Sequence, residues 1–545
     1  MRIPSVSNRT ECGIKQQSTR LSGTLPLAQP SIGAVPTTAE GRPRHAWGGP
    51  IARSSVITTG VTGSLIITLA ASLAACSSSA SRSPAPTPPA VQLTRTQIAA
   101  LGAPATFSTP PAVGEIIQPI SANGRNLASY GYAEKEYFAS GTAYALKPTA
   151  MPDSGKWTFT PTTPAHYETR VIVRLPTDPA KFDGNVVVEW MNVSAGESAP
   201  DWDYANPTLM DEGAAYVGVS EQALAVNGGQ SLLGTAATRP SSGLRGDNPA
   251  RYGMLHHPGD QYALDMFAQI GEALRQPQPA ILGGLQPTHV LATGESQSAF
   301  YLTSYANALQ PVVPGYQGLF IHSRGGGAVP LGGANVKAAL KAQSVRIRTD
   351  LSAPVLMFQT QTDLIQLGYA PARQPNTARI RTWEVAGTSH ADAYELGGAA
   401  GLIGCTTPVN DGPQHEVIQA AFLAWLHWVD TDTPPPSPPP FRLSAAHPAT
   451  LALDAHGNVV GGVRTPAVDV PVSTLAGAPP RGATRLCGLF GSAVPFTTQQ
   501  LQQLYGTPSN FMATYTKALD EAIAKGYLIP SERAAMLTRA QQVRF

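Results

Sequence analysis

The stretch THVLATGESQSAF, Thr288–Phe300, decides how the chain is read. It opens on His289-Val290-Leu291-Ala292, an apolar run of the kind that forms a strand, and closes on Ala299-Phe300-Tyr301-Leu302, which continues as a helical pattern. Between them, Gly294-Glu295-Ser296-Gln297-Ser298 must turn the chain sharply. A serine on a strand-to-helix turn of this kind exposes its hydroxyl at the end of a sheet, and the usual pattern is G-x-S-x-G. Here Ser298 stands at the last glycine. Glycine there lets the helix pack closely against its neighbours, and serine is the next smallest polar choice. Gly294 is retained on the side where the backbone turns most tightly. Alone, the motif is weak, because a serine after glycine is also an ordinary turn residue.

A serine hydroxyl needs a base, and the base needs an orienting acid. Two further residues follow apolar strands downstream: Asp363 after APVLMFQT (Ala353–Thr360) and His390 after ARIRTWEVA (Ala378–Ala386). The spacings are 67 residues from Ser296 to Asp363 and 27 from Asp363 to His390, the second matching one helix plus one strand. Open α/β sheets place their sites just past the carboxyl ends of such strands. Taken singly, Asp363 suits a helix cap and His390 a solvated loop. Taken together and in this order, Ser296 is the candidate nucleophile, His390 the base and Asp363 the acid. Backbone N–H groups for a developing oxyanion are expected from Gln297 and from Met191, Asn192 or Val193, in the loop after NVVVEW (Asn185–Trp190). Competing acids are Asp350, Glu384, Asp392 and Glu395; Asp392 is placed to support the site from behind, and Glu295 to tune the pocket or pair locally.

Around this centre, apolar runs alternate with helical patterns. Tyr167–Leu175, Asn185–Trp190, Ala214–Ser220 and Gly318–Ser323 read as strands; Asp260–Leu274 and His415–Val429 read as helices. The alternation predicts an α/β fold with a mostly parallel sheet, helices on both faces and short antiparallel strands near its start. Core sequence is expected over 97–440. A Gly-rich inserted cap is expected at about 325–352, and an appendage packing on the core over 441–545. Trp190, Trp202, Tyr204 and Tyr301 suit a pocket lining and core packing equally well.

The chain has 545 residues, enough for one large or two medium domains. A net charge of +2 with no basic run gives no reason to expect a nucleic-acid partner. Residues 1–76 read as a leader: Val56–Ala75 carries no charge, Arg42, Arg44 and Arg53 precede it, and it closes on Leu73-Ala74-Ala75-Cys76. That ending resembles the bacterial lipobox, which makes Cys76 the expected lipidation site and membrane anchor on the extracytoplasmic face. A single membrane-spanning anchor is the competing reading. The length before the signal points to a translation start nearer Val35. Residues 77–96 are a Ser/Pro-rich tether. In an oxidising compartment Cys405 and Cys487, 82 residues apart, are expected to pair, with two buried free thiols as the alternative. His256-His257 lacks the frame of a zinc site and Gly325-Gly326-Gly327 lacks a phosphate-loop ending, so no metal or other cofactor is expected.

VVVEWMNVSAG, RYGMLHHPGDQYALDMF, ATGESQSAFYLTSYANALQP, TWEVAGTSHADAYEL and GNVVGGVRTPAVDVPV together resemble the bacterial alpha/beta-hydrolase domain-containing proteins, over roughly residues 105–540. In that family the turn commonly reads G-x-S-Q-S, as it does here. The resemblance implies a hydrolase whose serine, acid and histidine fall on Ser296, Asp363 and His390. It speaks to reaction type far more than to substrate. The expected activity is cleavage of a small-molecule or lipid-like carboxylic ester, with amide or thioester cleavage as the near alternative. A non-catalytic surface lipoprotein that keeps the fold for binding would have no need of all three residues.

Overall fold

The computed structural model describes residues 93–545 apart from 121–125, 234–239, 277–278, 334 and 479–482. The leader with Cys76, and the tether up to residue 92, lie outside the described residues. The first described element is a short helix, Arg95–Ala100, whose Thr94–Gln97 capping box starts it two residues inside the stretch read as tether.

Nine strands form one sheet: β1 Thr106–Ser108, β2 Tyr132–Ala150, β3 Thr158–Pro176, β4 Asn185–Trp190, β5 Ala215–Val219, β6 His289–Glu295, β7 Gly318–His322, β8 Val355–Gln359 and β9 Ile380–Glu384. Their order is β1-β2-β3-β5-β4-β6-β7-β8-β9. β5 through β9 pair in parallel, while β1, β2 and β3 are antiparallel. Of the antiparallel strands only β1 is short, at three residues. β2 and β3 are each 19 residues long and pair as one hairpin from Tyr132↔Pro176 to Ala150↔Thr158.

Side chains alternate across a strand, so the parallel strands feed two cores. On one face Val186, Val188, Val217, Val290, Ala292, Leu319, Ile321, Val355 and Met357 pack under α2 (Ala263–Leu274) and α3 (Gln297–Ala308). On the other face Val187, Leu291, Phe320, Leu356, Phe358 and Trp383 pack under α1 (Pro200–Glu212) and α5 (Gln414–Thr431). Both sides are covered, which is why these strands read as near-continuous apolar runs. The chain winds outward from β4 to β5 on one side and from β6 to β9 on the other. The crevice past the ends of β4 and β6 is therefore the topological switch point, where such sheets bind ligands.

Residues 325–352 were expected to stand as a cap. They hold one short helix, Val336–Ala339, and send Ala328, Val329, Leu331, Val345 and Ile347 into the core of α2 and α3. Gly326 N–H bonds Leu367 O and Val329 N–H bonds Phe300 O, so the segment is a packed wall beside α3. The C-terminal region, expected to pack on the core, touches it at several points among the described residues. Val463 continues the sheet beyond β9 by bonding Glu384 O and Ala386 N–H. Leu519 and Ala522 of α6 (Pro508–Ala524) and Met536 of α7 (Arg533–Ala540) join the core under α5. Cys405 and Cys487 are bonded, with Sγ atoms 2.04 Å apart, which removes the two-thiol alternative.

Candidate active site

Ser296 follows β6 and stands at the N-cap of α3 at φ +55° and ψ −115°, a region that serine seldom enters. Such strain persists only where the surroundings over-determine it. Here the Ser296 N–H is held by His322 O at 2.9 Å. The expected close approach is also present: a Cβ on Gly294 would lie 3.1 Å from Ser298 Cβ, so glycine at 294 is what lets a serine stand at 298.

Asp363 lies in the first turn of α4 (Gln361–Ile365), which follows β8. Its Oδ2 accepts the Thr360 N–H at 2.7 Å and its Oδ1 meets His390 Nδ1 at 2.7 Å. The other ring nitrogen, Nε2, lies 2.6 Å from Ser296 Oγ. The structure thus brings Ser296, His390 and Asp363, separate in sequence, into one hydrogen-bonded line. Asp363 and His390 are buried, and Ser296 is half-buried. The His390 loop is fastened from the C-terminal region: Ala391 N–H bonds Leu489 O, and Ser389 Oγ donates to Phe490 O.

The oxyanion donors need a correction. Asn192 N–H is taken by Ser198 O at 2.9 Å and Met191 N–H by Val219 O at 3.2 Å, so neither is available to a ligand. Asn192 serves through its side chain instead. Its Nδ2 donates to Glu295 O and Oε2, and its Oδ1 accepts the Ser194 N–H. Val193 N–H points to Gln297 Oε1 at 3.2 Å, which leaves Val193 and Gln297 as the candidate backbone donors.

The competing acids separate cleanly. Asp350 pairs with Arg348 and Lys156 near the surface. Glu384 grips Arg373 through both oxygens and accepts Phe441 N–H, so it anchors the C-terminal region. Asp392 caps a short helix and accepts the Tyr204 hydroxyl, which also reaches Glu395. Glu295, outside these four, does approach the histidine, with Oε1 3.5 Å from His390 Nε2. Burial, and then the charges of Glu395, Asp201 and Asp363, push its carboxyl well above the usual range. Trp190, Trp202, Tyr204 and Tyr301 are all buried in the cores, and Trp190 stacks on Tyr301 at 5.1 Å.

Apart from Glu295, sequence reasoning missed the polar layer beneath Ser296. Glu189, Thr293, Glu295 and His322 occupy core-facing positions at the ends of adjacent strands, on the α1 face. Asp201 of α1 joins them, bonding His322 Nδ1 at 2.8 Å and Thr293 Oγ1 at 2.5 Å. The signal was present as charged or polar residues interrupting apolar runs, as in VVVEW and VLATGE. Among the described residues, no group of three or more His, Cys, Asp or Glu side chains is arranged to hold a metal ion.

Comparison with known proteins adds the following. No curated protein matches the chain. A candidate dienelactone hydrolase from Klebsiella pneumoniae subsp. pneumoniae MGH 78578 is 12% identical, over 45% of this chain and 85% of its own, with a TM-score of 0.23. Est1E from Butyrivibrio proteoclasticus is 10% identical, over 48% and 95%, with a TM-score of 0.27. Neither likeness adds to the family match, which spans residues 107–538. With the doubly covered parallel sheet and the turn at Ser296, that match makes the chain a member of the alpha/beta hydrolase domain family, and a hydrolase.

Proposed function

We propose that the protein is a serine hydrolase that cleaves a carboxylic ester through an acyl-enzyme on Ser296. The observation that carries this reading is the line from Ser296 Oγ through His390 to Asp363, with contacts of 2.6 and 2.7 Å. His390 Nε2 takes the hydroxyl proton as Oγ bonds to the acyl carbon, and the carbonyl electron pair moves onto oxygen. The N–H groups of Gln297 and Val193 donate to that oxyanion. Its collapse breaks the bond to the alcohol oxygen, which leaves with the proton from Nε2. Water then repeats the sequence: it gives a proton to Nε2, attacks the acyl carbon, and the acid departs as Oγ recovers the proton. Asp363 keeps His390 in the tautomer with hydrogen on Nδ1 and stabilises the imidazolium.

The test uses the full chain, purified in detergent, beside Ser296→Ala and His390→Ala. A fluorophosphonate probe is expected to label the wild type and not Ser296→Ala. Turnover of p-nitrophenyl esters of increasing acyl length is expected only from the wild type, and a matching series of p-nitroanilides separates ester from amide cleavage. A folded wild type that neither labels nor turns over any ester would sink the reading.

A further inference from the structure

We propose that the Ser194 hydroxyl is a third donor to the oxyanion, and that the Gln297 carboxamide oxygen holds that oxyanion's place in the resting enzyme until substrate displaces it. The inference rests on the acyl-enzyme reading above.

Two donors on consecutive residues converge on one atom. Val193 N–H lies 3.2 Å and Ser194 Oγ 3.3 Å from Gln297 Oε1. That acceptor is an amide carbonyl oxygen, the same kind of atom as an ester carbonyl oxygen. It belongs to the residue directly after Ser296, whose own N–H sits in the first turn of α3 with no partner inside the helix. The donors are held before any ligand arrives. Asn192 bridges the loop to the turn by accepting Ser194 N–H and donating to Glu295, and Ser198 pairs with Asn192 through both backbone groups. Fixed donors aimed at the place where charge develops are what stabilises an oxyanion.

The same facts explain the Gln297 side chain. Val193 is buried, and a buried N–H without an acceptor is rarely tolerated. The carboxamide satisfies it, and an incoming carbonyl would replace it like for like as the side chain rotates away. Ser194 and Ser296 are half-buried while Asn192, Val193 and Gln297 are buried, so the two hydroxyls mark the side from which a ligand arrives.

The experiment compares the full-length wild type with Ser194→Ala, Ser194→Thr and Gln297→Ala. It reads kcat and KM on p-nitrophenyl butyrate, and inhibition by an alkyl trifluoromethyl ketone, which forms a tetrahedral oxyanion on the enzyme. Ser194→Ala is expected to lower kcat on the order of 100-fold, the scale of one lost oxyanion donor, with KM nearly unchanged. It should weaken the ketone by a similar factor, and Ser194→Thr should recover most of both. Gln297→Ala keeps its N–H and loses the competing oxygen, so kcat/KM is expected to rise several-fold. A Ser194→Ala kcat like that of the wild type, or Ser194→Thr as impaired as Ser194→Ala, overturns the donor role. A large fall in kcat/KM for Gln297→Ala overturns the placeholder role. A wild type that is neither labelled by fluorophosphonate nor active on any ester overturns the acyl-enzyme reading, and this inference with it.

Discussion

Asp363 closes the cap of α4 with one carboxylate oxygen and meets His390 with the other. The bland and the functional readings of this residue are therefore both correct, and one substitution separates them. Asparagine has a single acceptor oxygen. If that oxygen keeps the Thr360 N–H, the amide NH2 faces His390 Nδ1 and forces the wrong tautomer. Asp363→Asn is therefore expected to lower kcat by about 10⁴-fold while the cap and fold survive. Steady-state rates beside a thermal melt check this, and a melt that collapses together with the rate would mean that the carboxylate chiefly supports structure. The three residues of the line were legible because each follows an apolar strand, and strand ends can be read from hydropathy. The oxyanion donors were only half legible. Whether Asn192 N–H is free depends on the chain returning at Ser198 to take it, and no spacing in the sequence records that return.

At the scale of elements, the parallel strands matched their sequence readings closely because they are buried on both faces. Of the β2–β3 hairpin, only Tyr167–Leu175 in β3 reads as strand from the sequence. Pro148, Pro161, Pro164 and Gly141 break the pattern of the rest, and proline reads against a strand. The hairpin carries the prolines near register shifts at Tyr144/Leu146 and Pro148/Ala150, where the regular ladder is already interrupted, and keeps Gly141 in the ladder opposite Tyr167. α1 was also missed. It has Pro207 inside and two aspartates in its first turn, and its helical state rests on burial from Pro200 to Met210 rather than on periodicity. The segment around Cys487 shows how a remote element reaches the site. It is bonded to Cys405, and its Leu489 and Phe490 carbonyls fasten the His390 loop. Cys487→Ser is expected to cost up to about 4.5 kcal/mol of stability for a loop of this length. It should also lower kcat more than it raises KM, because His390 loses its fastening. Urea denaturation and steady-state kinetics check both, and reduced wild type should behave alike; an unchanged urea midpoint refutes the structural half.

At the scale of the whole molecule, the α1 face of the sheet turns acidic beneath the candidate nucleophile, with Glu189 and Glu295 at strand ends and Asp201 against them. The layer cannot be fully ionised. Burial raises Asp392 to about 7. Burial, with Asp392 and Asp203 adding, raises Glu395 to about 8. The groups facing this pair are Tyr204, Asp201 and Asp203 of α1, Glu295 of β6 and Asp411 before α5, so negative partners predominate. In the unfolded chain these carboxyls titrate near 3.8 and 4.5. From about pH 4 to about pH 8 the folded protein therefore holds more protons than the unfolded chain, and stability falls as pH rises. The loss is absent below that window and complete above it. This is the reverse of the usual carboxylate, whose pairing lowers its pKa and which stabilises as pH rises. The wild-type Tm is thus expected to decline between pH 5 and 8. The decline should flatten in Asp392→Asn/Glu395→Gln, where asparagine still caps the helix over Ala393–Leu396. Melts in a single mixed buffer at constant ionic strength decide it, and an equal slope in both proteins would remove the buried pair as the cause.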